Sequence, residues 1–235
     1  MLKQKLISVV IPTYNEDKNI LLLVNVLIKE LADCKFEIII VDDYSSDDTK
    51  ISMQKIIKND KRIRFYLNPP PRGLSKSILF GIRKSKGDII VGMDADFNHD
   101  PLIITKLIEE ISEKDGDMAV ASRFINGGGM DDKFRSFFTF IFNFILRLFF
   151  AFPLTDNASG YYAIKSSILK GMPLEKIYVG YGEYHLRLVY LAKTLNLKIK
   201  EIPVFYQKRK YGVSKSKLLN MFLTYIKVAW QMRFN

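Results

Sequence analysis

Asp94-Ala95-Asp96 sets two carboxylates one small residue apart, directly after the apolar run 88–93. Carboxylates so placed repel unless a cation lies between them. Hard divalent ions take oxygen ligands and bridge carboxylates to substrate phosphates. Asp42-Asp43 repeats the theme after a second apolar run. There a carboxylate can accept hydrogen bonds from a base edge or a ribose, or cap the next helix together with Ser45, Ser46 and Asp47. Pro12-Thr13-Tyr14-Asn15-Glu16 closes a third run. If the three runs are strands of one open parallel sheet, their ends meet at one cleft, because such sheets bind ligands at the carboxyl ends of their strands. The combination reads as a nucleotide site built from acidic and aromatic groups. No Walker motif and no G-x-G-x-x-G is present, which argues against an ATPase or a dehydrogenase.

The elements that must position these groups alternate along the first half. Residues 6–11 read as a buried strand ending at Pro12. Asn15 is expected to cap a helix running to about residue 33, with Glu16 and Asp17 in its first turn. Residues 36–41 form a second strand, and Asp47 or Asp48 caps a helix over 49–58. A third strand over 63–66 precedes Pro69-Pro70-Pro71, which forces an extended loop. A helix follows over 74–84, then a fourth strand over 88–93, a helix starting at Pro101 and a fifth strand over 118–121. This repetition predicts an α/β fold with a mostly parallel sheet and helices on both faces. There is no internal repeat and no linker dividing the chain.

The chain has 235 residues, 48% apolar and 26% charged, which excludes intrinsic disorder. Its single cysteine, Cys34, excludes a disulfide framework and a cysteine zinc site. No secretory signal opens the sequence. The net charge of +11 suits polyanions such as nucleotides, lipid phosphates or an anionic membrane, as well as a plain solvated surface. Nucleic acid is not expected, since neither a stacking platform nor a recognition-helix pattern accompanies the charge.

Phenylalanines crowd residues 134–152, and residues 136–155 carry one charge, Arg147. That is the length of a membrane span. A mid-span arginine costs about 2.5–3.5 kcal/mol to insert, and Pro153 interrupts the far end. The expectation is therefore an amphipathic segment over about 134–155 lying in the membrane interface, with Arg135 and Arg147 near phosphates. A hairpin buried against the sheet is the alternative. Residues 218–235 read as a C-terminal amphipathic helix, docked on the core or on lipid. No transmembrane span is expected.

At this point the motifs resemble a known family. Val10-Ile11-Pro12-Thr13-Tyr14-Asn15-Glu16, Val41-Asp42-Asp43-Tyr44-Ser45-Ser46-Asp47-Asp48-Thr49 and Met93-Asp94-Ala95-Asp96-Phe97-Asn98-His99 resemble the family 2 glycosyltransferases of GT-A fold. Arg72-Gly73-Leu74, Ser122-Arg123-Phe124, Gly127-Gly128, Arg135-Ser136, Asp156-Asn157-Ala158-Ser159-Gly160-Tyr161 and Arg209-Lys210-Tyr211-Gly212-Val213-Ser214-Lys215 follow in order. That ordered set is similar to the dolichol-phosphate mannose synthase group and extends from residue 6 to about 217, within one GT-A domain over 1–235. The resemblance implies transfer of a hexose, mannose from GDP-mannose first and UDP-glucose behind it, to a polyprenyl or dolichyl phosphate with inversion. Pro12, Tyr14, Glu16, Ile40 and Asp42 would line the nucleotide. Asp94, Ala95 and Asp96 would meet its diphosphate. Asp94, Asp96 and Asn98 would hold Mg2+ or Mn2+, Asn98 standing where relatives carry glutamine. Arg123, Arg209 and Lys215 would hold phosphate oxygens, and Arg135 would face the acceptor phosphate. Asp96, Arg135 and Arg209 are the implied catalytic residues. The implied location is the cytoplasmic face of a membrane, peripherally attached, with a small membrane-protein partner left open.

Two other readings are weighed beside this one. A transferase acting on a hydroxyl acceptor would need a base, and Glu183 is the first candidate. A domain of this kind without turnover would be a binding protein. His99 is expected to be a structural hydrogen-bonder, and His185 a helix-surface residue or a site residue.

Overall fold

The computed structural model describes residues 4–207 and 218–234. Strands β1 (Leu6–Thr13), β2 (Lys35–Asp42), β3 (Ile63–Leu67) and β4 (Ile89–Gly92) alternate with helices α1 (Asp17–Glu30), α2 (Thr49–Asn59) and α3 (Leu74–Lys84). A 3-10 turn at Pro101–Ile103 leads into α4 (Ile104–Ser112) and β5 (Met118–Ser122). Beyond lie β6 (Gly129–Met130), α5 (Lys133–Phe150), β7 (Tyr162–Lys165), α6 (Ser166–Gly171), α7 (Leu174–Ile177), α8 (Tyr184–Thr194), β8 (Ile199–Pro203), β9 (Phe205–Tyr206) and α9 (Leu218–Phe234).

Seven strands form one sheet in the order β3-β2-β1-β4-β7-β5-β8. β1 pairs in parallel with β2 and β4, and β5 with β8, while β7 runs antiparallel to both β4 and β5. The apolar runs are continuous because both faces are covered. Strand alternation divides them between two cores: Ile7, Val9 and Ile11 pack with α1, α2 and α4, whereas Val10 faces α3 on the other side with α5, α8 and α9. Gly81 lets α3 sit close on β1, since a Cβ there would fall 2.5 Å from Cγ1 of Val10. This close approach brings the N-terminus of α3 to the ends of β1 and β4.

One expectation about the helices needs correction. Asn15 does not cap α1. It sits at φ 56°, its backbone N–H donates to Ser45 Oγ at 2.8 Å, and its Oδ1 accepts from the N–H of Ser46 at 2.8 Å. The loops after β1 and β2 thus brace each other, and α1 starts at Asp17 and ends at Glu30 rather than near residue 33. The phenylalanine segment forms α5 with one face buried and the other exposed. Phe142, Leu146 and Phe150, spaced four apart, are buried against the sheet and α9, with Phe152 buried beyond the helix. Phe134, Phe137, Phe138, Phe140, Phe144, Leu148 and Phe149 stay more than half exposed. On α9, Tyr225, Val228 and Ala229 are buried and Leu223, Trp230 and Phe234 are exposed. Among the described residues no helix is long and apolar enough to cross a membrane.

Asn143 anchors α5. It is buried, and its Oδ1 accepts the backbone N–H of Asn157 at 2.7 Å while its Nδ2 donates to the carbonyl of Thr139 at 3.0 Å. A buried amide satisfied on both ends specifies where the helix docks on the loop that precedes β7.

Candidate active site

Strand order reverses at β1: β2 and β3 lie to one side of it and β4 to the other. The carboxyl ends of such strands splay apart and leave a crevice. A cavity of about 320 Å3 opens there. Pro12 and Thr13 line it from the end of β1 and Tyr14 and Glu16 from the loop after it, Asp43 from the loop after β2, and Asp94, Ala95 and Asp96 from the loop after β4. Gly73, Leu74 and Ser77 of the α3 start and Tyr181 of the loop before α8 complete the lining. Pro12, Tyr14, Glu16, Asp94, Ala95 and Asp96, dispersed over 85 positions of sequence, are therefore brought together.

Ile40 and Asp42 do not line the cavity. Ile40 points into the core with no exposure. Asp42 is buried as well: its Oδ2 accepts the N–H of Ser45 at 2.9 Å, and its Oδ1 accepts from the hydroxyls of Thr13 and Ser45. It holds the turn in shape. The cleft residue is its neighbour Asp43, whose Oδ1 accepts from Asn68 Nδ2 at 2.8 Å and from the N–H of Gly73 at 3.1 Å. Beside it, the Arg72 guanidinium lies 3.6 Å over the ring of Tyr44, a cation–π contact at the rim.

Asp94 is 43% exposed in its side chain, whereas Asp96 is 4% exposed. Asn98 donates to Asp96 twice, from its backbone N–H to Oδ1 and from Nδ2 to Oδ2, both at 3.0 Å. Asn98 therefore orients the Asp96 carboxylate through its two N–H donors, and neither bond uses its side-chain carbonyl. Among the described residues no three His, Cys, Asp or Glu side chains converge on a metal position. Two carboxylates fit a divalent ion that takes its remaining oxygens from a diphosphate and water, the usual manner of Mg2+ binding.

Arg123 is committed elsewhere. Its Nε donates to Asp156 Oδ2 at 2.6 Å and its Nη2 to Oδ1 at 2.7 Å, in a pair with almost no exposure. Burial disfavours the charged guanidinium, but the Asp156 carboxylate more than offsets this and raises its pKa. The pairing joins the end of β5 to the loop before β7, and it replaces the free phosphate-holding arginine expected at this position. Arg135 lies in the first turn of α5, where Asp132 Oδ1 caps its N–H at 2.9 Å, and it does not line the cavity. Arg209 and Lys215 lie outside the described residues.

Glu183 is 6% exposed and accepts the N–H of Tyr181 at 3.0 Å, so it fixes the loop that presents Tyr181 to the cleft. Ser75 Oγ holds the carbonyl of Tyr181 at 2.7 Å from the other side. His185 is buried on α8, not on a helix surface, and burial pushes its pKa down to about 3, so it stays neutral. Ser77 and Tyr181 escape the sequence reading, which assigns the nucleotide role of the Asp42-Asp43 pair to Asp42 rather than Asp43. Asp43 differs from Asp42 only by the face of the strand end, and Ser77 and Tyr181 belong to no motif.

A mainly parallel sheet with an Asp-x-Asp pair at its switch-point cleft is the GT-A architecture of glycosyltransferases. Residues 8–172 match the family described as Glycosyl transferase family 2, and the chain belongs to that family. It is 30% identical over 217 residues to a dolichol-phosphate mannosyltransferase of Pyrococcus furiosus, covering 90% of this chain and 59% of that relative's length. It is 28% identical over 239 residues to the dolichol-phosphate mannosyltransferase of Saccharomyces cerevisiae, covering 97% of this chain and 88% of the relative. An undecaprenyl-phosphate mannosyltransferase of Micrococcus luteus is 27% identical, with 88% and 85% covered. Among solved structures, glucosyl-3-phosphoglycerate synthase of Mycobacterium tuberculosis with Mn2+, UDP and phosphoglyceric acid superposes with a TM-score of 0.75 at 19% identity, covering 98% of this chain and 79% of that one.

Proposed function

We propose that the chain transfers a hexose from a nucleoside diphosphate sugar to a polyprenyl phosphate, with inversion at the anomeric carbon. The observation that carries this reading is the Asp94/Asp96 pair set in a switch-point cavity with Tyr14, Asp43 and Tyr181. The names of the sequence relatives support a prenyl phosphate acceptor and mannose as the sugar, with GDP-mannose the first donor to test and UDP-glucose the second.

The acceptor is a phosphate monoester whose second pKa is about 6. At neutral pH it is largely dianionic and needs no strong base. One of its oxygens attacks the anomeric carbon as the bond to the diphosphate breaks, and the nucleoside diphosphate leaves with the bonding electrons. Asp94 and Asp96 would hold Mg2+ or Mn2+, which neutralises charge growing on the leaving diphosphate. Asn98 keeps the Asp96 carboxylate aimed. Arg209 and Lys215 are assigned to the diphosphate and Arg135 to the acceptor phosphate, where a planar fork suits two oxygens. Glu183, already bonded to the backbone of Tyr181, is poorly placed to activate a hydroxyl, which favours the phosphate over the hydroxyl acceptor.

The exposed face of α5 is assigned to the membrane interface, where phenylalanines bury apolar area and nearby cations meet anionic lipid. Replacing Phe137, Phe138, Phe144 and Phe149 with serine, and leaving the buried Phe142 in place, should keep the fold. The variant is expected to stop sedimenting with anionic liposomes and to show a raised KM for long prenyl phosphates only. A short, water-soluble prenyl phosphate should be used as before. Unchanged liposome binding would refute the interface role of α5, and failure of the wild type to glycosylate either prenyl phosphate from any GDP- or UDP-sugar would refute the acceptor assignment.

A further inference from the structure

His99 ends the acidic loop that follows β4, five residues after Asp94. Phe97, at φ 62°, turns the loop back so that the His99 ring reaches its start. There Nδ1 accepts the backbone N–H of Asp94 at 2.8 Å. An accepting Nδ1 carries no proton, so the proton sits on Nε2. Nε2 lies 3.1 Å from the carbonyl of Ser159 and donates to it. The ring is 2% exposed and stacks on Tyr161, with centroids 5.0 Å apart. It therefore spans from the Asp94 loop to the loop before β7, one nitrogen accepting and the other donating.

The two contacts are not equivalent. The Ser159 carbonyl also accepts from the Tyr206 hydroxyl at 3.1 Å, so it stays bonded if Nε2 is lost. The bond to Asp94 acts on the backbone of the residue whose carboxylate enters the cleft. The Asp94 carboxylate is 43% exposed and its Oδ2 lies 3.8 Å from His99 Nε2, beyond hydrogen-bond distance, so the position of its main chain decides where that carboxylate can reach.

We propose that His99 is a positioning residue: through Nδ1 it fixes the backbone of Asp94, and thereby the aim of the Asp94 carboxylate at a cation-bound nucleoside diphosphate. This inference rests on the donor-site reading of Asp94. It assigns His99 no proton transfer.

Two amides separate the contacts. In His99→Asn, Oδ1 falls near the place of Nδ1 and can accept from Asp94, but nothing reaches Ser159. In His99→Gln, the longer amide can donate to Ser159 but presents no acceptor at the Nδ1 position. Both lose the stacking on Tyr161, so a packing role predicts equal damage. Binding of GDP and UDP should be measured by calorimetry across a Mn2+ titration, beside the thermal midpoint, for the wild type, His99→Asn, His99→Gln and His99→Ala. Loss of an outer hydrogen bond to a metal ligand weakens metal affinity by about 10–100-fold. His99→Asn is expected to stay within about threefold of the wild type, and His99→Gln and His99→Ala to lose about tenfold or more, although Asn and Gln lower the midpoint alike. Equal losses in Asn and Gln that follow the midpoint, or no loss in any variant while the wild type binds, would overturn the positioning role alone. A wild type that binds neither diphosphate at any Mn2+ concentration would overturn the donor-site reading and this inference with it.

Discussion

Asp96→Asn is expected to abolish hexose transfer while the protein stays folded. The substitution keeps the shape of the side chain and removes its charge. In the fold, Asp96 accepts two hydrogen bonds from Asn98. An amide can keep one of them and turns its NH2 toward the other donor, which costs about 1–3 kcal/mol. A domain with a net stability of about 5–15 kcal/mol survives that. The chemistry suffers more. Asp96 is one of two carboxylates that face the cavity from the loop after β4, and its charge is what would retain a divalent ion against the diphosphate. Removing one group that stabilises developing charge slows turnover by about 100- to 1,000-fold, and the loss here should be at least that large. Product formation and a circular-dichroism melt on the same preparation check the two halves. Full activity of the variant, or of the wild type in excess chelator, would contradict the metal role.

Asp156→Ala should give the largest loss of stability. The Arg123–Asp156 pair is fully desolvated, and the fork of two bonds at 2.6 and 2.7 Å is the compensation for that burial. A buried ion pair is not in itself strongly stabilising, but removing one partner strands a charge and costs about 3–5 kcal/mol. Asp156 also accepts the backbone N–H of Arg123 at 3.1 Å, so the end of β5 loosens with it. The urea midpoint is expected to fall by a third or more of its value, with an unchanged slope. A loss below about 1 kcal/mol would mean that Arg123 finds another partner, and would reopen the phosphate role for it.

The strands and helices of the first half were legible because apolar runs end at proline, glycine or paired aspartates. The helix over 74–84 is found with the expected bounds, the starts at residues 6, 49, 63 and 118 also hold, and the remaining ends move by one to three residues. β7 was not legible. It has four residues, and it exists as a strand because β4 and β5 leave a gap that an antiparallel segment fills. The acidic and aromatic motifs pointed to one cleft, and the structure brings them to one cavity because strand ends of a parallel sheet meet at the switch point. Which aspartate of a pair enters the cleft was not legible, because Asp42 is still the last strand residue and faces inward, while Asp43 is the first beyond it. The direction of the Asn98 amide depends on the neighbouring Asp96 carboxylate. The docking stripe of Phe142, Leu146 and Phe150 is hidden in the sequence because phenylalanines occupy the exposed side of α5 as well.

The central claim is that the acceptor is a phosphate that brings its own charge, and one assay addresses it. Labelled hexose from GDP- and UDP-sugars is offered, with Mn2+, to a prenyl phosphate and to the matching prenyl alcohol, using the wild type, Arg135→Ala and Glu183→Gln. The account predicts product from the phosphate alone. It predicts a loss of about 2.7–4 kcal/mol of transition-state stabilisation in Arg135→Ala, and a mild effect in Glu183→Gln, whose amide oxygen can still accept from Tyr181. Product from the alcohol, with Glu183→Gln inactive and Arg135→Ala active, would contradict the account and establish a hydroxyl acceptor in its place.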